Sequence, residues 1–360
     1  MVDSINCRLL QAEDILSQRE MFSACFPETV GSPCYGDSYR KWKFGEIPST
    51  PPSFEFIAET NGKLIGYYAA LPLEYRVQDR RARVALVVDV MVHPQSQGQG
   101  VFRHLGSFSC NQLKLAGFDF TTGYPIRPQV MPGHIKVGWQ IAFPLPTFVS
   151  VFSSKSILRS LKLEILYLIL EPFVRVQAWI IDMILKVMSG NFQCEMVPAL
   201  SLVDAPDFWE FQSRWSEKQI IAWARTPTYW KWRLSRPGSQ YYSVLIRDRE
   251  GHILGHALVT PTILRKVSAL AVLDIQWINP AILPDLHKSL RDIASRFQCD
   301  VLSCMASASF AKNNSFLIAG FLKTGAVFKL IFKNLSEKFS DSHLKDEKNW
   351  HVTWIDSDDV

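Results

Sequence analysis

Short runs of apolar residues, separated by turn residues, fill the first third of the chain and predict β-strands. Residues 54–58 and 64–71 flank Asn61-Gly62, a dipeptide that strongly favours a tight hairpin turn. Residues 73–77 and 84–92 flank a charged turn and predict a second hairpin. The sequence therefore predicts two successive antiparallel hairpins.

Features of the N-terminal half recur in order in the C-terminal half, at spacings between 185 and 190 residues. Trp42 and its neighbours match the segment around Trp232, Gly66 matches Gly255, and Asp89 matches Asp274. Such a repeat predicts two copies of one α/β unit, with both tryptophans anchoring a core. We expect a first domain at 1–150, a helical linker at 151–200 and a second domain at 201–360.

The stretch from 161 to 188 is rich in apolar residues but is interrupted by charges and a proline. No uncharged run in it approaches the ~20 residues that cross a bilayer, so no membrane span is expected. The pattern favours one or two buried amphipathic helices over a helix that lies on a membrane surface. Residues 349–358 alternate like a terminal strand, and their acidic end is expected to be solvated.

Composition adds limits rather than a function. At 360 residues, 48% hydrophobic and 20% charged, the chain suits two globular domains. A net charge of +5 is too dilute to indicate a nucleic-acid partner, and it neither requires nor excludes an anionic ligand. Seven scattered cysteines without a CxxC pair favour reduced thiols over disulfides or a metal site. Together with an N-terminus that lacks a signal-peptide pattern, they predict a cytoplasmic protein.

A glycine-bearing turn is the most informative segment of the sequence. It contains Gly98 and Gly100 and joins the strand at 84–92 to a predicted helix at 102–115. Glycines allow a close approach of the backbone, and free N–H groups at a helix start favour an anion such as phosphate. No Gly-Lys-Ser/Thr and no G-x-G-x-x-G motif is present, which argues against a nucleotide P-loop and a dinucleotide fold.

The segment Val92-His93-Pro94, followed by Gln97-Gly98-Gln99-Gly100, resembles the coenzyme A loop of the GCN5-related N-acetyltransferase (GNAT) superfamily. That loop reads Gln/Arg-x-x-Gly-x-Gly/Ala. A register starting at Gln97 places Phe102 where a small residue is usual, where it either crowds the pyrophosphate or packs the helix. A register starting at Gln95 ends on Gly98 and Gly100 but is spaced less typically from the strand. The segment from His134 to Gly138 also resembles the family's Tyr-x-x-x-Gly motif, so the likeness covers residues 39–150.

The resemblance implies an α/β fold of two tandem GNAT-like domains, each with a mixed, mostly antiparallel sheet flanked by helices. The matching turn of the second half, residues 281–285, contains no glycine. One acyl-coenzyme A site in the N-terminal domain is therefore implied, with acyl-CoA as co-substrate and no metal. The residues implied to bind it are Val90, Met91 and Val92 for the pantetheine arm and acyl carbonyl, Gln97, Gly98, Gln99, Gly100, Val101 and Phe102 for the pyrophosphate, and Arg103 for its charge.

Two side chains are candidates for catalysis. Asp89 interrupts an apolar strand and is a candidate general base or anchor for the acceptor ammonium, while its match Asp274 favours a structural role. His134 stands where the family often has a tyrosine that protonates the departing thiolate; a packing role is the alternative. Tyr124 and Arg127 are candidate contacts for an anionic diphosphate on the acceptor; ordinary solvated side chains are the alternative.

In length and in its repeated tryptophan segments the chain resembles bacterial sugar N-acyltransferases of polysaccharide biosynthesis. The implied reaction is direct attack of the amine of a nucleotide-linked amino sugar on the acyl-CoA thioester. Two alternatives stay open: another amine acceptor, such as an aminoglycoside, a peptide or a small amine, and a non-catalytic protein that binds coenzyme A or a partner. The oligomeric state is not indicated by the sequence.

Overall fold

The computed structural model describes residues 5–29, 31, 36–190 and 192–357. It divides into two compact units. Unit 1 comprises Met1–Phe143, Ile220–Gly238 and Lys329–Asn349, and unit 2 comprises Pro144–Gln219, Ser239–Phe328 and Trp350–Val360. Both units are discontinuous in sequence and so differ from the three consecutive segments predicted. Residues 151–200 belong to unit 2.

The described residues form fourteen strands and eleven α-helices, numbered here in chain order. The strands are β1 (Asn6–Leu9), β2 (Phe54–Thr60), β3 (Lys63–Val77), β4 (Arg80–Val92), β5 (Phe120–Gly123), β6 (Gln140–Val151), β7 (Gln193–Pro198), β8 (Ile221–Trp223), β9 (Tyr242–Arg247), β10 (Ile253–Leu264), β11 (Val267–Trp277), β12 (Val301–Met305), β13 (Leu322–Asn334) and β14 (Trp350–His351). The helices are α1 (Ile15–Cys25), α2 (Asp37–Arg40), α3 (Val101–Leu115), α4 (Met131–Lys136), α5 (Lys155–Ser160), α6 (Tyr167–Met188), α7 (Pro206–Ser216), α8 (Pro227–Leu234), α9 (Leu283–Arg296), α10 (Ala308–Asn313) and α11 (Asp341–Lys345).

In unit 1 the strand order is β1-β2-β3-β4-β5, followed by the end of β13. All neighbours are antiparallel except β4 and β5, which pair in parallel. The β2–β3 turn places Asn61 and Gly62 at φ 49° and 71°, both in the left-handed region that a tight hairpin of this kind requires. The predicted hairpins are confirmed, although the two strands expected between 64 and 77 form the single strand β3.

Helix α3 covers the sheet of unit 1 and begins one residue before its predicted start. Its buried residues include Val101, Leu105 and Leu113, which recur at helical spacing on one face. A Cβ on Gly66 of β3 would stand only 3.0 Å from Val101 Cγ1, so the glycine allows the helix to pack closely. Leu115, the last residue of α3, is 80% exposed.

Unit 2 repeats this arrangement. The succession β9-β10-β11-α9-β12 has the same strand order and the same pairing directions as β2-β3-β4-α3-β5. A Cβ on Gly255 would stand 2.5 Å from Ile282 Cδ1, so Gly255 faces the start of α9 as Gly66 faces α3. The predicted repeat is thus confirmed at the level of topology.

The two repeated tryptophans meet in unit 1. The indole rings of Trp42 and Trp232 stack with centroids 5.3 Å apart. Each indole N–H donates to the main-chain carbonyl of the other residue, over 2.6 Å and 2.8 Å. Both side chains are buried, so their predicted role as core anchors is confirmed.

Two predictions about burial are wrong. Apolar side chains of α6 that were expected in a core are largely exposed. Residues 350–357, expected to include a solvated tail, are buried, and Asp358 lies outside the described residues.

The six described cysteines are free thiols, while Cys34 lies outside the described part of the chain. Among the helices described, none is long and apolar enough to cross a membrane.

Candidate active site

The turn between β4 and α3 is built around two left-handed glycines. Gly98 and Gly100 have φ values of 79° and 83°, and Gly100 directly precedes the first residue of α3. A side chain at either position would be strained because L-residues rarely adopt this conformation. Two glutamine side chains of the turn bond to nearby backbone: Gln97 Nε2 donates to the Val92 carbonyl at 3.3 Å and Gln99 Nε2 to the Gln95 carbonyl at 3.0 Å.

Five consecutive backbone amides, those of residues 98–102, donate to no acceptor within the described part of the chain. The next two, of Arg103 and His104, donate to the Gly100 carbonyl. Residues 97–100 are exposed, and so is the side chain of Arg103. A row of free amides at a helix start, with the positive end of the helix dipole and an arginine beside it, is a suitable site for a phosphate group. The predicted residues Gln97 to Arg103 are therefore brought together here.

The second half of strand β4 is unpaired on the edge that faces β5. The strand pairs with β5 only from Val84 to Leu86, and β5 ends at Gly123. From Val87 to Val92 no pairing with β5 exists within the described residues. The end of the strand is held from the other side, where His93 N donates to the Ile65 carbonyl at 2.9 Å. Because unpaired strand groups need partners, the edge that includes Val90, Met91 and Val92 can bind an extended polar chain.

Asp89 lies beside an irregularity in this strand. Its φ is 50°, and the β3–β4 register shifts between Tyr67 and Ala69 opposite it. Both carboxylate oxygens of Asp89 lie 3.0 Å from Lys43 Nζ. The lysine side chain is 3% exposed and the aspartate side chain 20%. The ion pair therefore favours the charged carboxylate, with part of its surface still accessible.

Lys43 is the partner of Asp89 that sequence reasoning missed. It lies in a π-helical turn, Lys41–Gly45, next to Trp42. A signal was available, because the internal repeat places Arg233 after Trp232 in the same way, and both cations are buried. A buried cation at matching places in both repeats indicates a requirement for a carboxylate nearby.

The matching aspartate of unit 2 has a different partner. Asp274 Oδ1 lies 2.8 Å from His351 Nε2 and accepts a hydrogen bond from Thr353 Oγ1 at 3.2 Å. The β10–β11 register also shifts beside it, between Leu258 and Val259. Each repeat thus combines a strand irregularity with a partnered aspartate, which shows a structural contribution of this position in both.

His134 is placed in an aromatic cluster. Its ring makes edge contacts with Phe102 at 5.0 Å and Trp139 at 4.9 Å, and its Nδ1 has no hydrogen-bond partner among the described residues. Burial lowers the pKa of His134 to about 4. The imidazole is therefore neutral near pH 7 and lacks the proton that the predicted acid would donate. These contacts favour the packing alternative.

The same cluster explains Phe102. A Cβ on Gly133 of α4 would lie 2.6 Å from Phe102 Cδ1, so the phenylalanine ring fills the space above that glycine. Of the two expectations for Phe102, the structure supports packing of the helix. Its backbone amide remains one of the five free amides.

The predicted acceptor contacts differ in environment. Tyr124 follows the end of β5 and is buried. Arg127 Nη1 donates to the Cys25 carbonyl at 3.0 Å, its guanidinium lies 4.4 Å from the Phe26 ring centroid, and it forms an ion pair with Glu28. Its charge is thus already balanced, which weakens the case for a diphosphate partner.

The start of α9 in unit 2 is already occupied by an acidic side chain. Asp285 stands in its first turn, and its carboxylate accepts a hydrogen bond from Gly190 N at 2.9 Å. An anion held there satisfies the helix dipole from within the protein. Together with the loss of both glycines, it supports a single phosphate site, in unit 1.

Metal-ligating side chains converge at one place among the described residues, the exposed turn with Asp248, Glu250 and His252 of unit 2. Asp248 Oδ1 accepts hydrogen bonds from the backbone amides of both other residues at 2.9 Å. The turn geometry accounts for the cluster.

Comparison with known proteins identifies the class. Residues 6–142 match the family described as acetyltransferase (GNAT) domain. A GCN5-related N-acetyltransferase from Anabaena variabilis superposes with a TM-score of 0.66 at 15% identity, covering 92% of this chain and 73% of its own. A probable N-acyltransferase from Enterococcus faecalis gives 0.63 at 9%, with the same coverages. Saccharomyces cerevisiae N-myristoyltransferase with bound myristoyl-CoA gives 0.60 at 11%, covering 92% and 79%. No curated protein sequence matches the chain.

Residues 6–142 therefore match the acetyltransferase (GNAT) domain family, and the chain as a whole has the GNAT fold. The predicted family and fold class are confirmed. This match supports acyl-CoA-dependent N-acyltransferase activity of the GNAT type.

Proposed function

We propose that unit 1 binds acyl-CoA with its pyrophosphate on the amides of residues 98–102 and its pantetheine arm along the open edge of β4. The observation that carries this proposal is the row of five unpaired amides behind Gly98 and Gly100. The exposed Arg103 adds a positive charge beside them. The open edge of β4 runs to the end of the strand at Val92, and the row of free amides follows at residues 98–102. One extended ligand can therefore use both.

The proposed reaction is direct aminolysis of the thioester. The amine nitrogen of the acceptor attacks the carbonyl carbon, a C–N bond forms, and the C–S bond breaks with its electron pair leaving on sulfur. The proton lost by the amine and the proton gained by the thiolate balance, so the products are an amide and free coenzyme A. In this proposal, a backbone N–H of residues 90–92 that faces the open edge polarises the carbonyl as charge develops on its oxygen.

We retain Asp89 as the candidate that holds the acceptor amine. Its carboxylate is charged, is fixed by Lys43 and keeps 20% of its surface exposed on the strand with the open edge. A fixed carboxylate stabilises an incoming ammonium and accepts a proton from it, which leaves the neutral amine to attack the thioester. Tyr124, at the end of β5, stays a predicted acceptor contact. His134 is left out of the proposed chemistry because its neutral, packed imidazole does not carry the additional proton that the predicted acid would donate to the thiolate.

For the acceptor we propose an amino sugar linked to a nucleotide, in a cytoplasmic step of polysaccharide biosynthesis. Its support is the likeness in length and in the tryptophan-containing repeats, Trp42 and Trp232. Free thiols at the six described cysteines agree with a reducing compartment. The yeast N-myristoyltransferase, which has a similar fold, binds myristoyl-CoA with its long acyl chain. The length of the acyl group is therefore a variable in the test.

The test measures thiol release from acetyl-CoA and from longer acyl-CoAs against a panel of nucleotide-linked amino sugars, aminoglycosides and peptides. Turnover with an amino sugar supports the proposal in full. Turnover only with another amine supports the N-acyltransferase activity but rejects the nucleotide-linked amino sugar as its acceptor. Acyl-CoA binding without turnover on any acceptor favours a non-catalytic coenzyme-binding protein.

A matched pair of glycine variants tests the loop. Gly100→Val and Gly251→Val each place a β-branched residue at a φ near +85°. A Cβ at Gly251 would meet nothing within 4 Å, and a Cβ at Gly100 would meet the His104 ring at an ordinary contact distance of 3.7 Å. Both variants carry a comparable backbone strain of roughly 1–2 kcal/mol. We expect loss of acyl-CoA binding only for Gly100→Val, measured by calorimetry. Equal affinities in the two variants would disprove the loop assignment.

A further inference from the structure

Helix α6 of unit 2 turns its apolar side chains to solvent. Of the 27 large hydrophobic residues that are exposed in the described chain, 14 lie between Leu161 and Met188. On α6 they include Phe173 at 71%, Trp179 at 63% and Val187 at 81% exposure. Soluble monomers rarely expose contiguous apolar surface of this extent without a partner.

The helix is held in this orientation by its polar side chains. Glu171 is buried and accepts hydrogen bonds from the backbone amide and hydroxyl of Ser154, both at 2.8 Å. Burial alone would raise the pKa of Glu171, but these bonds and Ser153 lower it below the ordinary value. The inward face of α6 is therefore fixed by a charged group.

A second polar anchor lies near the other end. Arg291 of α9 is 2% exposed and donates to Asp182 at 2.5 Å, to the Ala178 carbonyl at 2.9 Å and to Ser150 Oγ at 2.9 Å. Rotating α6 to bury its apolar face would separate the buried guanidinium from Asp182 and from the Ala178 carbonyl, which is unfavourable for a buried charge. The exposed face is thus a stable feature of unit 2.

The charges around this face are mostly positive. Lys155, Lys162 and Lys186 are exposed and form no ion pair within the described residues. The nearby acids are compensated: Glu171 by Arg175, Asp182 by Arg291 and Glu164 by Arg159. An apolar stripe with aromatic residues and free lysines at its ends is complementary to an anionic lipid surface.

We propose that α6 lies in the headgroup region of an anionic phospholipid membrane, parallel to its surface. The helix does not span the bilayer, in keeping with the absence of any spanning helix among those described. Its 22 residues make a contact about 33 Å long. Leu161, Leu163 and Ile165 extend the apolar surface ahead of α6. The alternative occupant of this face is a second copy of the chain.

The full chain is tested by co-sedimentation with vesicles of phosphatidylcholine alone and with added phosphatidylglycerol. We expect partitioning that needs the anionic lipid and falls with salt. Phe173→Glu and Trp179→Glu should each reduce the partition coefficient about ten-fold or more, since each side chain loses its burial in lipid. Leu115→Glu is the matched control, because Leu115 is 80% exposed on a helix of unit 1.

Lys162→Glu with Lys186→Glu tests the charge requirement and should weaken binding to anionic vesicles only. Acyl-CoA binding and thermal unfolding, measured on every variant, show that the fold persists. Absence of binding to anionic vesicles overturns the proposal. Equal loss with Leu115→Glu also overturns it. A dimer in solution that Phe173→Glu dissociates, without vesicle binding, identifies a second copy as the occupant instead.

Discussion

Replacing His134 by leucine tests how strongly the protein interior opposes charge at this position. In the folded chain, burial between Phe102 and Trp139 lowers the His134 pKa from 6.5 to about 4. The unfolded chain takes up a proton at about pH 6.5, while the folded chain does not. The contribution of neutral His134 to the free energy of unfolding is therefore fully present above pH 6.5 and is lost as the pH falls towards 4.

The magnitude follows from the two pKa values. Their separation corresponds to about 3 kcal/mol of unfolding free energy between neutral pH and pH 4, of which about 2 kcal/mol is lost by pH 5. His134→Leu removes this dependence while keeping an apolar side chain between the rings. When the pH falls from neutral to about 5, we expect the unfolding free energy of the variant to fall by about 2 kcal/mol less than that of the wild-type protein.

Hydrogen-exchange mass spectrometry of the segment that contains α4 measures the stability of unit 1 at each pH, separately from that of unit 2. His252→Gln is the control, since His252 is 58% exposed and loses little solvation on folding. Parallel loss of stability in wild-type and His134→Leu proteins would refute the burial argument. A large fall in kcat of a well-folded His134→Leu enzyme would instead restore the catalytic role expected from the sequence.

Three further variants test packing and anchoring. Gly133→Ala should destabilise unit 1 by about 1–3 kcal/mol through its clash with Phe102, and adding Phe102→Ala should relieve the clash, as seen in urea unfolding. Trp232→Phe removes the N–H that donates to the Trp42 carbonyl and should cost about 1 kcal/mol; no change would show that this bond adds nothing. Arg291→Met should cost about 2 kcal/mol and speed proteolysis within α6, whereas unchanged cleavage would contradict the anchor.

Much of unit 1 was accessible from sequence because its signals are local. Asn61-Gly62 dictates a left-handed turn, and Gly98 with Gly100 permits the backbone that exposes amides at the start of α3. Such conformational demands act within a few residues and leave a direct mark on residue choice. The GNAT resemblance rested on these marks, and the family match and fold confirm it.

The roles of single side chains were less accessible, since they depend on distant partners. Asp89 is 46 residues from Lys43, and His134 is 32 residues from Phe102, so no local pattern reveals either contact. The same holds for α6. Its apolar periodicity predicted a buried face, but the charged contacts of Glu171 and Arg291 decide which face turns inward.

By itself the sequence determined the two hairpins, the internal repeat and a single glycine-bearing turn before a helix, because these depend on periodicity and local backbone geometry. Only the tertiary structure decided that the two repeats belong to units discontinuous along the chain, that His134 is packed and neutral, and that α6 presents an apolar surface. Burial and charge pairing are properties of residues brought together from afar, and their energies decide orientation where hydrophobic pattern alone allows more than one arrangement.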